Sequence, residues 1–328
     1  MLMIIRAFLV VFALAIAILA GAIGFGTGAA PSAWEAGNTI PGIASWDLAE
    51  IPKPQTVKAR DGTGLAYRAY PGTQPVMAVL VHGSTGSSYS MHRMAQELNR
   101  SGASVYALDI RGHGGTGAKG DIGYMGQIDD DLADFMNDAV KRQPGAKKIL
   151  IGFSAGGGFT LRTAGGKNRE LFDGYIMLAP YLRFDAPTTR PDTNDKWSTA
   201  FVPRIAGLKL LERLGLNWFQ GLTTVAFAVP PDAGPERTGA YSYRLMFNFG
   251  PHWDWQSDVR NINKPAALIV GSNDEFFLAN AYAPTLQPLR PELKVTVLPG
   301  LKHLDLLAES AAVATIGAAF TAITGAAP

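Results

Sequence analysis

Gly152-Phe153-Ser154-Ala155-Gly156 sets a serine hydroxyl between glycines, at the end of an apolar run that begins at Lys147 and reads KKILIGFS. A serine hydroxyl is a poor nucleophile at neutral pH, so a catalytic one needs a base, and that base needs an acid to orient it. Asp274, in GSNDEFF, and His303, in PGLKHLDL, supply the two missing types, and each follows an apolar run of its own. The order Ser, Asp, His is the one used when a G-x-S-x-G turn joins a strand to a helix. Acyl transfer also develops an oxyanion, which calls for two donors fixed in advance. The N–H of Ala155, next after the serine, and the N–H of Ser84, in VHGSTG, are the candidates.

These residues work together only if separate elements bring them to one place. VMAVLVHG, SVYALDI, KKILIGFS, GYIMLAP, AALIVGSND and LKVTVLPG are continuous apolar runs. Helical patterns lie between several of them, for example Ser90 to Arg100 and the series Ile128, Leu132, Phe135, Met136, Ala139 and Val140. Such alternation predicts an α/β fold with a mostly parallel sheet covered by helices on both faces. In a parallel sheet every C-terminal strand end lies on one edge, so Ser84, Ser154, Asp274 and His303 are expected to converge there. TVKAR and LAYRAYP around Asp61-Gly62-Thr63-Gly64 predict a preceding hairpin.

The rhythm breaks between Tyr181 and Lys264, a stretch too long for one crossover helix. It is expected to be an inserted cap, helical near Phe201 to Leu214. The expected organisation is therefore an N-terminal segment at 1–27, a linker at 28–54, a core at 55–180 and 265–328, and the cap at 181–264. Met177, Phe201, Leu216, Trp218, Phe219, Phe227 and Phe276 are apolar candidates for an acyl pocket.

Composition removes several other classes. Hydrophobic residues make up 47% and charged residues 17%, which is not the composition of a disordered chain. A net charge of +2 without a Lys/Arg run argues against a nucleic-acid surface. The absence of cysteine removes thiolate catalysis and Cys-based zinc sites. No cofactor and no metal are expected. The Asp129-Asp130-Asp131 triplet reads as a solvated helix start rather than a metal site. Among the other histidines, His82 and His113 fall in glycine turns, His92 on a helix and His252 among aromatics, all read as structural; Asp254 and Asp305 are rival acids less well placed than Asp274.

From Ala7 to Thr27 the chain carries no charge, long enough as a helix to cross about 30 Å of hydrocarbon. Arg6 precedes the run, while Glu35, Asp47 and Glu50 follow it before Lys53. That asymmetry predicts a single-pass anchor with its N-terminus in the cytoplasm and the main domain outside. The competing expectation is a signal peptide cleaved near Thr27-Gly28-Ala29, giving a secreted or periplasmic domain.

With His82-Gly83-Ser84, Asp109-Ile110-Arg111-Gly112-His113-Gly114, the Ser154 turn, Asp274 and His303 taken together, the chain from about Thr56 onward resembles the α/β-hydrolase superfamily. Within it, the chain looks most like the lysophospholipase and monoacylglycerol lipase group, also labelled serine aminopeptidase S33. The resemblance implies a Ser154 nucleophile, a His303 base, an Asp274 acid and an oxyanion hole from Ser84 and Ala155. Phe153 stands where that lipase group often has His. The expected activity is cofactor-free cleavage of carboxylic esters, with lipid-like acyl groups favoured by the apolar cap. An aminopeptidase-type amidase is the alternative, using Asp192, Asp195, Asp254 or Asp258 to hold an ammonium group. A non-catalytic binding protein on the same fold is a further alternative.

Overall fold

The computed structural model describes residues 1–28, 31, 50–191, 197–229, 234 and 236–325. Most of the linker, with Trp34, Glu35, Trp46 and Asp47, lies outside these residues, as do Asp192 and Asp195.

The strands in chain order are β1 (Gln55–Lys58), β2 (Gly64–Tyr70), β3 (Val76–Val81), β4 (Ser104–Leu108), β5 (Lys147–Phe153), β6 (Gly174–Leu178), β7 (Ser198–Ala200), β8 (Thr223–Phe227), β9 (Ala240–Ser242), β10 (Ala266–Gly271) and β11 (Lys294–Leu298). Helices are α1 (Leu2–Phe25), α2 (His92–Arg100), α3 (Gln127–Arg142), α4 (Ala155–Gly165), α5 (Val202–Arg213), α6 (Tyr243–Asn248), α7 (Trp255–Asn261), α8 (Tyr282–Leu286), α9 (Asp305–Ala308) and α10 (Ser310–Thr324).

Eight strands form one sheet in the order β1-β2-β4-β3-β5-β6-β10-β11. The β1–β2 hairpin is antiparallel and β2 pairs antiparallel with β4, while β4, β3, β5, β6, β10 and β11 run parallel. This is the α/β-hydrolase fold. Every side chain of β3, β4 and β6 is buried, because helices cover both faces, and so these strands carry unbroken apolar runs instead of alternating ones.

The turn after β5 is packed through missing side chains. A Cβ on Gly152 would lie 2.1 Å from the Gly156 carbonyl oxygen, and one on Gly156 would lie 2.3 Å from that of His82. Gly158 and Gly165 are equally hemmed in, by the Tyr181 and Asp258 carbonyls at 2.3 and 2.1 Å. The glycines let α4 press against β3 on one side and against α7 on the other.

Between β6 and β10 the chain forms a three-stranded antiparallel sheet, β7-β8-β9, together with α5, α6 and α7. The helix read at 201–214 is α5. A second, smaller core joins α5 to the N-terminal helix: Ile23 of α1 is buried with Leu208, Leu211 and Tyr243, and Leu19, Ile205, Leu216, Leu222 and Phe247 pack around them. Leu216 therefore belongs to this core.

The acid triplet at the start of α3 corrects the sequence reading. Asp129 and Asp131 are buried, not solvated. Arg162 Nε donates to Asp129 at 3.0 Å, and Arg111 donates to both oxygens of Asp131 at 2.7 Å. Only Asp130 faces surface partners, Arg60 and Lys167.

Candidate active site

Ser154 stands between β5 and α4 with φ +56° and ψ −116°. A non-glycine residue pays strain for positive φ, and such strain persists only where the surroundings enforce it. Here the Ser154 N–H donates to the Leu178 carbonyl of β6 at 2.9 Å, and its carbonyl accepts from Gly158 and Tyr181, both at 3.0 Å. The main chain of Ser154 is thus fixed from three sides while its side chain sits at the C-terminal edge of the sheet.

Asp274 and His303 reach the same edge from beyond β10 and β11. Oδ2 of Asp274 lies 2.7 Å from Nδ1 of His303. The other oxygen of Asp274 accepts the N–H groups of Phe276 and Phe277 at 2.9 and 2.8 Å. Asp274 is fully buried, so these three donors replace the water it has lost. They also fix the carboxylate plane, and through it the imidazole. The His303 N–H donates to Glu275 at 2.9 Å, and its ring is boxed by Phe153, Phe276 and Phe277, with centroids 4.6, 5.0 and 5.3 Å away. Phe153, adjacent to Ser154, thus packs directly on the histidine. Among the described residues no hydrogen bond joins Ser154 to His303; such bonds are often loose before substrate arrives.

The loop after β3 comes against the serine. A Cβ on Gly83 would sit 3.1 Å from the Ser154 Cβ and 2.9 Å from the Phe153 ring, so only glycine lets the backbone of Gly83 and Ser84 approach this closely. Ala155 is the first residue of α4, where an N–H has no acceptor within the helix. The Thr85 N–H, by contrast, is taken: it donates to the Tyr241 hydroxyl at 2.8 Å, with Thr85 held at φ +62°.

Tyr241, on β9, was not singled out from the sequence. Its hydroxyl also lies 2.6 Å from Nε2 of His113. Thr238 adds a bond from its N–H to the Thr85 carbonyl at 3.2 Å and one from its hydroxyl to Gly112 at 3.0 Å. The segment between β6 and β10 is therefore stitched to both glycine loops. Beneath them, Asp109 accepts the N–H groups of Ser88 at 2.7 Å and Gly115 at 2.8 Å, tying one loop to the other.

His82 and His113 are fully buried in this stitching, in agreement with their reading as structural residues. Nε2 of His82 accepts the Ile110 N–H at 3.2 Å, which leaves Nδ1 to donate to the Gly83 carbonyl at 2.8 Å. Burial pushes the His82 imidazole down to about 4. Burial, and then the neighbouring His82, hold His113 well below the usual histidine range. His252 pairs with Asp258 at 2.7 Å, and the Asp254 side chain caps α7 by accepting from Ser257 at 3.1 Å. Asp305 accepts the Lys302 N–H at 2.7 Å. Neither rival acid is bonded to His303.

The apolar candidates divide. Met177 and Phe201 are buried, and Trp218 and Phe219 are exposed. Phe276 and Phe227 are joined by Trp197, whose ring is 6.2 Å from the first and 6.0 Å from the second, and Phe227 packs edge-on to Tyr241 at 4.7 Å. The result is a continuous aromatic wall from His303 to the loop of Thr85. Trp197 was missed because nothing in its local sequence distinguishes it.

With the fold and edge geometry in place, comparison with known proteins assigns the family. The description "Serine aminopeptidase, S33" matches residues 76–310, which span β3 through the start of α10. The chain belongs to the serine aminopeptidase S33 family. Within reach of this S33 chain, a curated monoacylglycerol lipase from Mycolicibacterium smegmatis is 33% identical over 100 residues, 30% of this chain and 36% of that lipase. A 2-(acetamidomethylene)succinate hydrolase from Mesorhizobium japonicum is 24% identical over 71% of this chain and 82% of its own length. Among solved structures, a soluble variant of the monoglyceride lipase from Saccharomyces cerevisiae superposes with a TM-score of 0.62 at 18% identity, covering 91% of this chain and 100% of that one. The two curated relatives are described as a lipase and a hydrolase, and the solved structure shares the fold.

Proposed function

We propose that this S33 chain is a membrane-anchored serine hydrolase that cleaves carboxylic esters, with lipid-like acyl groups preferred, through an acyl-enzyme on Ser154. The observation that carries the reading is the 2.7 Å bond from His303 to a fully buried Asp274, at the sheet edge where Ser154 is held at positive φ.

In the proposed cycle, His303 Nε2 takes the proton from the Ser154 hydroxyl as its oxygen attacks the ester carbonyl. The carbonyl electron pair moves onto oxygen, and that oxyanion is met by the N–H groups of Ser84 and Ala155. Collapse breaks the bond to the leaving alcohol, which receives the proton from His303. Water, deprotonated by His303, then attacks the acyl-enzyme, and Ser154 leaves with the proton restored. Asp274 holds the imidazole in the Nδ1–H tautomer and stabilises the imidazolium formed in each half.

Segment 181–264 serves as the cap in this reading, its Trp197, Phe227 and Tyr241 forming the acyl wall with Phe276. The likeness to a monoacylglycerol lipase supports an apolar acyl group. The amidase alternative has less support, since Asp258 is engaged by His252 and Asp254 by a helix cap. Arg6, near the start of α1, favours a cytoplasmic N-terminus with the catalytic domain on the extracytoplasmic side. Turnover of p-nitrophenyl esters of increasing chain length, set against aminoacyl anilides, tests the substrate class. Faster anilide turnover would reject the esterase reading.

A further inference from the structure

The N-terminal helix does not simply lead up to the domain. From Leu2 to Ile18 every residue of α1 is exposed, while Leu19, Ile23 and the glycines beyond are engaged by α5. Arg204 of α5, itself buried, donates from Nε to the Ile23 carbonyl at 2.8 Å and from Nη2 to the Gly24 carbonyl at 3.0 Å. Its remaining nitrogen, Nη1, donates to the Thr223 carbonyl of β8 at 2.8 Å. The last carbonyls of a helix have no partner of their own and carry its negative dipole end, so a guanidinium there both satisfies and neutralises them. Glycines make the approach possible. A Cβ on Gly207 would meet the Ile23 side chain at 2.8 Å, and one on Gly26 would meet the main-chain nitrogen of Arg204 at 2.9 Å.

The exposed part of α1, Leu2 to Ile18, measures about 25 Å at about 1.5 Å per residue, near the thickness of a bilayer's hydrocarbon core, with Arg6 close to its outer end, where a long cationic side chain reaches the interface. The clamp on its last turns therefore lies where the helix would leave the lipid. On the face of α5 turned away from α1, Val202, Ala206 and Leu210 form an exposed apolar stripe at i, i+4 spacing, which Leu214 continues just past the helix. Trp218 and Phe219 extend it in the turn that follows, 61% and 60% exposed. Arg213 borders the stripe, as cations border helices that lie in a membrane interface.

From this arrangement we propose that α1 is a retained structural part of the insert, clamped by Arg204, and that it lays the α5 stripe with Trp218 and Phe219 on the lipid surface. Removal of α1 at a site near Gly28 would strip the cover from Leu208 and Leu211 and leave Arg204 buried with two of its three carbonyl acceptors gone. The occupant of the α5 face is lipid because α5 is packed on the end of a helix long and apolar enough to cross a membrane.

The chain contains no cysteine, so single-cysteine labels report one position each. Leu210→Cys, Leu214→Cys and, on the distant helix α2, Arg100→Cys would be labelled with nitrobenzoxadiazole in the full chain. The labelled chain would be reconstituted into phosphatidylcholine/phosphatidylglycerol vesicles carrying acyl-chain spin-labelled lipid. Emission at 210 and 214 is expected to shift to the blue and lose intensity to the lipid-borne quencher, while emission at 100 does not. Water-exposed emission at 210 and 214 would overturn the proposal. So would shielding without lipid quenching, the result of burial against a second copy. Arg204→Ala is expected to release the label at 210 from the quencher while α1 stays in the vesicle, and unchanged quenching would overturn the clamp. The inference rests on the anchor reading and not on catalysis: the depth measurement needs no turnover, and p-nitrophenyl ester hydrolysis by the same samples tests the esterase reading separately.

Discussion

The hydroxyl of Tyr241, contributed by the inserted segment, accepts the N–H of Thr85, in the loop that passes against Ser154, at 2.8 Å. Because that bond uses the Thr85 amide, the proposed mechanism assigns the oxyanion to the amide before it, Ser84. In the proposed mechanism Tyr241 acts as a positioning residue. Tyr241→Phe keeps the ring packing on Phe227 but leaves a buried N–H and His113 without their partner, a loss of about 1–3 kcal/mol. The expected result is a fall in kcat of at least about tenfold with a smaller change in KM, measured on a short soluble ester. An equal loss in a purely thermal sense, with kcat intact, would remove Tyr241 from the site.

Strain at Ser154 predicts a trade between stability and activity. Glycine adopts positive φ at no steric cost, so Ser154→Gly should abolish turnover and raise unfolding free energy by about 1 kcal/mol. Denaturant unfolding of the two proteins, compared at equal m-value, reads this directly. A less stable variant would mean that Ser154 is not strained.

The glycines flanking the serine predict the opposite sign. Gly156→Ala places a methyl group 2.3 Å from the His82 carbonyl oxygen and 2.6 Å from that of Val81, both in backbone that cannot move aside. The cost expected is about 3 kcal/mol or more, with activity lost alongside. A soluble variant of unchanged midpoint would contradict the packing described around the turn.

Acid should weaken the fold through the buried histidines. His82 stays neutral when folded, with its titration pushed down to about 4, whereas in the unfolded chain it titrates near the usual 6.5. The unfolded state therefore binds the proton first, and stability present above pH 6.5 is lost as pH falls towards 4. His113 adds to the same slope, in the same direction. Urea midpoints between pH 7 and 4 should fall, and His113→Asn should flatten part of that slope. A midpoint independent of pH across this window would contradict the account.

Much of this was legible in the sequence, for identifiable reasons. Strands buried on both faces, such as β3 and β5, leave continuous apolar runs, and a nucleophile turn leaves glycines at fixed offsets. The positions of Asp274 and His303 followed because a parallel sheet gathers its strand ends on one edge. The insert was visible as a gap in rhythm but not in content: β7 and β9 are three residues each, too short to show a period. Trp197 and Tyr241 matter through neighbours far away in the chain, and no local pattern marks them. The misreading of Asp129 and Asp131 has the same origin, since the arginines that bury them lie 33 and 20 residues distant.

The central claim is that Ser154 is the nucleophile, activated by His303 on Asp274. A fluorophosphonate probe applied to the full chain and to Ser154→Ala, with the modified peptide located by mass spectrometry, tests it most directly. The account predicts one adduct on Ser154 in the parent chain, no adduct in the variant, and loss of p-nitrophenyl ester hydrolysis with it. Labelling that persists in Ser154→Ala, or ester hydrolysis at the parent rate, would contradict it.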